Sequence, residues 1–112
     1  MYGLSQRGRW ENLRSLAFGS ISGTYAAVGS ELANPARIIR FVNETDVNLT
    51  VSTNGIDDKE IVTAGGFVLY DFTTNRTDAN NGLFIDEGTQ FYVKGSPTLG
   101  TFYIVVIYAS SN

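Results

Sequence analysis

Residues 101–108 read Thr-Phe-Tyr-Ile-Val-Val-Ile-Tyr, with no charge and no break. In an extended chain Phe102, Ile104, Val106 and Tyr108 face one way and Tyr103, Val105 and Ile107 the other, so both faces are apolar. This is expected to be the most buried element. It needs cover on both sides: the facing sheet of a sandwich supplies one, and the other must come from the chain's own N-terminal segment or from another protein.

The rest of the chain carries shorter extended patterns. Residues 13–18 and 21–28 are strand or irregular-edge candidates punctuated by Gly19, Gly23 and Gly29. After Pro35, residues 36–42 predict a strand with Ile38, Ile39, Phe41 and Val42, and residues 43–46 a polar turn. Val47, Leu49 and Val51 alternate with Asn48, Thr50 and Ser52, the period of a strand with one wet face. Asn54-Gly55 follows and predicts a type I′ hairpin, with both residues at positive φ and residues 57–63 returning. Strands are expected over 67–72, 83–85 and 90–93, with residues 73–82 as a surface loop. Eight or nine strands at a spacing of roughly ten residues give an all-β fold, an antiparallel β-sandwich of jelly-roll-like form over residues 13–112. Residues 1–12, with two glycines and few apolar side chains, are expected to form an extended N-terminal arm.

With 112 residues there is room for one domain. No cysteine is present, so neither a disulfide framework nor a thiolate metal site is available. No apolar run follows Arg7 and Arg9, and no segment has the length of a membrane helix, so the chain reads as a soluble protein without a signal peptide. Three matches to the glycosylation pattern, at Asn43, Asn48 and Asn75, are expected by chance in a chain so rich in Asn, Ser and Thr. Charge is uneven. Residues 1–40 hold five arginines against two glutamates, and residues 41–112 hold three basic groups against nine carboxylates. The acidic body argues against nucleic acid as a partner. The arginines around Trp10 fit an acidic protein surface better.

The chemical inventory is restrictive. Without histidine or cysteine no Ser-His-Asp or Cys-His nucleophile can be assembled. Asp57, Asp58, Glu60, Asp86 and Glu87 sit at turns, where carboxylates are usually solvated, so no catalytic residue is assigned. Asp78, Asn80 and Gly82 open like a calcium loop but lack its closing glutamate, so no metal and no cofactor is expected. Tyr2, Arg7, Arg9, Trp10, Arg14 and Tyr25 are the candidate protein-interface residues.

The run Leu-Arg-Ser-Leu-Ala-Phe-Gly-Ser-Ile-Ser-Gly-Thr-Tyr from Leu13 and Pro-Ala-Arg-Ile-Ile-Arg-Phe-Val-Asn-Glu-Thr-Asp from Pro35 resemble small virion proteins from the structural modules of tailed bacteriophages. The resemblance continues through Ala-Gly-Gly-Phe-Val-Leu-Tyr-Asp from Ala64, Gly-Thr-Gln-Phe-Tyr-Val-Lys-Gly-Ser-Pro from Gly88 and the closing apolar strand. It implies a β-sandwich component of the particle and no reaction. Together the two readings lead to a non-enzymatic virion structural protein, assembled in the host cytoplasm. It would dock through its arm and apolar strand on portal, adaptor, tail or capsid subunits and oligomerise in the particle, without membrane or nucleic-acid partner. Two alternatives stay open: capsid decoration, and a lectin-like module for host glycans.

Overall fold

A computed structural model describes residues 7–72 and 85–110, the side chain of Ser110 excepted. The described residues are all-β, with two antiparallel sheets and, among them, one 3-10 turn at Phe18–Ser20. The strands are β1 (Arg7–Trp10), β2 (Arg14–Ala17), β3 (Ala26–Ala27), β4 (Ala36–Asn43), β5 (Leu49–Ser52), β6 (Glu60–Val62), β7 (Phe67–Asp71), β8 (Tyr92–Lys94) and β9 (Thr101–Ser110). Sheet A runs β1-β9-β4-β7, with β2 also on β9, and sheet B runs β3-β8-β5-β6.

The period-two patterns account for the core. Ile39 and Phe41 of β4 and Phe102, Ile104 and Val106 of β9 point inward from sheet A, and Leu49, Val51, Val62 and Val93 point inward from sheet B, all buried in one cluster. Phe41 is at its centre, edge-on to Phe91 at 5.3 Å and to Tyr70 at 5.8 Å between ring centroids. Ile21, Val28 and Leu32 of the otherwise irregular 21–34 segment complete it.

Strand β9 occupies the middle of sheet A. On one edge it pairs with β4 from Ala36↔Tyr108 to Asn43↔Phe102. Its other edge is shared by two short strands, β1 along 107–110 and β2 along 101–104. Arg7–Trp10, expected within a free arm, is therefore hydrogen-bonded strand. All four residues of β1 are exposed, so what orders them is the row of backbone donors and acceptors on β9, which no apolar period in the sequence reports. Residues 1–6 lie outside the described residues, as do residues 73–84, which contain the expected surface loop and the Asp78-Asn80-Gly82 stretch.

Two turns differ from expectation. The β5–β6 hairpin forms, but only Gly55 has positive φ (75°), so the turn is not type I′. Instead the Asn54 Oδ1 accepts the backbone N–H groups of Ile56 and Asp57, both at 2.9 Å, and its Nδ2 donates to Asp57. A side chain that replaces backbone acceptors in this way holds a longer loop, and β6 begins only at Glu60. At Asn43, expected in a polar turn, the side chain is fully buried at the end of β4. Its Nδ2 donates to Val47 O and Val62 O, each at 2.8 Å, and its Oδ1 accepts from Thr45 N and Oγ1. One amide thus ties sheet A to β6, with every hydrogen-bonding site used.

Replacing Asn43 by Ala takes this amide from the buried Val62 O and Thr45 N–H, while Val47 O keeps the Thr45 hydroxyl. Stability in urea should fall by at least about 2 kcal/mol, since each buried orphan costs roughly 1–3 kcal/mol. A loss below about 0.5 kcal/mol would contradict this role for the amide.

Candidate functional site

The outward faces of the two sheets differ in chemistry. Register on sheet A sets Trp10, Ile107 and Ile38 in one outward row across β1, β9 and β4. The next row is Val105, Arg40 and Leu69, and the one after it Tyr103, Val42 and Phe67. Apart from Arg40, these three rows across β9 and β4 are apolar, and large side chains stand open to solvent: Trp10 is 70% exposed, Phe67 64% and Leu69 54%. Leu13, 60% exposed between β1 and β2, borders the same face. A shallow groove of about 300 Å³ runs over it between Leu13, Val42, Tyr103 and Val105, with Arg40 and Glu44 in its walls. Exposed apolar side chains grouped in this way are what protein interaction surfaces present.

Sheet B turns a more polar face outward, although Ile61, paired with Thr50, stands 59% exposed on it. Thr50, Tyr92 and Lys94 lie there, and Lys94 Nζ is 3.2 Å from Asp58 and 4.6 Å over the Tyr25 ring. The Tyr25 hydroxyl donates to the same Asp58 carboxylate. Desolvation, followed by that hydrogen bond and the nearby Asp58 and Asp57 charges, pushes Tyr25 up to about 12. Its hydroxyl and one ring face are thus engaged within the chain.

The six sequence candidates are not brought together. Trp10 stands at the rim of the outer face of sheet A, and Tyr25 belongs to the sheet B side. Arg7 and Arg9 lie on β1, and Tyr2 is outside the described residues. Arg14 faces inward opposite Ile104 and is buried. Its Nη2 is 2.8 Å from the Glu11 carboxylate, and its guanidinium also donates to Ser30 O at 2.9 Å and Glu31 O at 3.0 Å. Glu11 in turn accepts from Asn34 N at 2.9 Å and Asn34 Nδ2 at 3.1 Å. This clasp fastens the 29–34 segment to the β1–β2 connection. Gly29 belongs to it, because it has φ of 65° and an added Cβ would stand 2.7 Å from Arg14 Cγ.

Burial opposes ionisation of Glu11, but hydrogen bonds from Arg14, Asn34 and Ala33 and the Arg14 charge outweigh it and hold the carboxyl below its ordinary value. The residues that sequence reasoning missed are Phe67, Leu69, Arg40 and Glu44. Their signal was there: β7 is apolar at two of its three outward positions, Phe67 and Leu69 beside Asp71, and a lone arginine interrupts an otherwise apolar outward row of β4.

The turn carboxylates are engaged singly: Asp57 with Asn54, Asp58 with Lys94 and Tyr25, Glu60 with the Tyr70 hydroxyl. Among the described residues no three His, Cys, Asp or Glu side chains are grouped to hold a metal. An apolar cavity of about 230 Å³ opens between the sheets beside Phe41, Tyr70 and Phe91, and two of its lining residues, Phe72 and Ile85, flank the undescribed 73–84. Among the described residues no helix is long and apolar enough to cross a membrane. Compared with known protein families, curated proteins and solved structures, the chain finds no match in any of the three.

The clasp makes stability depend on pH. A carboxyl held below its ordinary value of 4.5 contributes stability that is fully present above that pH and is lost as acid protonates the folded carboxyl. Glu11→Gln should therefore cost about 1–3 kcal/mol at pH 7, where it leaves the buried Arg14 charge uncompensated. Urea midpoints of the two proteins should converge as the pH falls below the ordinary glutamate range. A gap independent of pH would contradict the assignment.

Proposed function

We propose that this chain is a non-enzymatic structural protein of a tailed-phage particle. It docks through the outer face of sheet A on a neighbouring protein at the head-to-tail interface or tail. One observation carries the reading: the outer face of sheet A is largely apolar, interrupted by Arg40 and Asp71, while that of sheet B is more polar despite the exposed Ile61. Strand β9 needed a second cover, and among the described residues the N-terminal segment does not provide it, since β1 and β2 widen sheet A at its edge instead of lying over it. Tyr103, Val105 and Ile107 therefore remain only half-buried. A cover from outside the chain is what such a face fits.

The strand orders support a jelly-roll reading. Each sheet draws alternately on strands from distant parts of the sequence, β2-β9-β4-β7 against β3-β8-β5-β6, as a double Greek key does. That agrees with the resemblance to small phage virion proteins. The docking role expected of the N-terminal arm falls in this account to β1, whose Trp10 lies at the rim of the face.

Leu69 is more than half exposed, so Leu69→Lys should leave stability within about 0.5 kcal/mol while abolishing incorporation of the chain into particles. Counting the chain against the major capsid protein by mass spectrometry of purified virions should give on the order of a dozen copies, as a closed ring requires. Hundreds of copies would instead make it a decoration protein, and absence from the particle would overturn the virion reading.

A further inference from the structure

Arg40 and Glu44 are both exposed and sit symmetrically about Val42 on the outward side of β4. Strand geometry continues past Asn43, since Glu44 N–H donates to Thr101 O at 3.0 Å. With side chains alternating, 40, 42 and 44 share one face, and all three line the shallow groove with Tyr103 and Val105. The two charges are then about 13 Å apart along the strand. Among the described residues neither takes part in a salt bridge.

We infer that the occupant of this face is a second copy of the chain, stacked sheet to sheet about a two-fold axis. The axis runs across the strands over Val42. It brings Arg40 of each chain against Glu44 of the other, and each contact occurs twice. An isologous interface demands this kind of self-complementarity, in which residue i meets j and j meets i. The row along the axis, Tyr103-Val42-Phe67, meets itself and carries no charge, so no like charges are opposed there. Stacked sheets lie about 10 Å apart, a gap that an arginine and a glutamate reaching toward each other can span. An unrelated partner would need its own acid and base at this spacing, whereas a second copy has both by construction.

The inference rests on the docking reading above and specifies its partner. Sedimentation equilibrium of the full chain should give a dimer. Arg40→Glu sets carboxylate against carboxylate twice and should raise the dissociation constant at least about tenfold, as should Glu44→Arg. The double exchange Arg40→Glu/Glu44→Arg recreates both pairs in reverse and should return to within about threefold of the original chain. Both substitutions are at exposed positions, and matching thermal melts would show that each of the three variants folds. A dimer whose affinity ignores these charges, or a double variant no tighter than the singles, overturns the inference, as does a chain that stays monomeric. The docking role fails separately: Leu69→Lys entering particles normally would sink it, whatever the sedimentation result.

Discussion

Everything in sheet A depends on β9 being apolar on both faces and paired on both edges. Its inward face supplies Phe102, Ile104 and Val106 to the core. One edge holds β4, which brings Ile39 and Phe41 to the same core, and the other orders the exposed β1 through its backbone and carries β2, whose Arg14 and Leu16 add side-chain contacts. The outward face is what remains. Among the described residues nothing lies over it, because the second layer is spent on the facing sheet.

That constraint leaves the two outer faces different in chemistry. Sheet B meets water with Thr50, Tyr92 and Lys94, and with the Tyr25–Asp58–Lys94 cluster. Sheet A presents Trp10, Phe67 and Leu69, side chains whose exposure costs solubility unless something covers them. Arg40 and Glu44 are the charges that, on the dimer proposal, orient what does. The Glu11–Arg14 clasp and the Asn43 amide serve this face indirectly: one anchors the β1–β2 connection that carries Trp10 and Leu13, the other fixes the end of β4 beside Glu44.

Much of this was legible in the sequence where side-chain period and burial coincide. The limits of β4, β7 and β9 follow from their apolar patterns to within a residue or two, and the need for a second cover on β9 follows from its composition. What the pattern missed is held by backbone or by distant polar partners. Strand β1 has no apolar period, and Arg14 finds its acceptors 16 and 17 residues away, at Ser30 and Glu31. Asn54 and Asn43 read alike as turn residues, yet one organises an exposed loop while the other is a core amide. Their local sequences do not distinguish them, since the difference lies in what β6 brings alongside.

The most direct test of the account is radical footprinting of side chains, comparing the dilute chain with its assembled form, whether dimer or purified particle. The account requires Trp10, Phe67, Leu69 and Tyr103 to become protected on assembly, while Tyr92 and Ile61 on the sheet B side label equally in both states. Equal labelling of the sheet A residues in both states, or protection confined to sheet B, would contradict it.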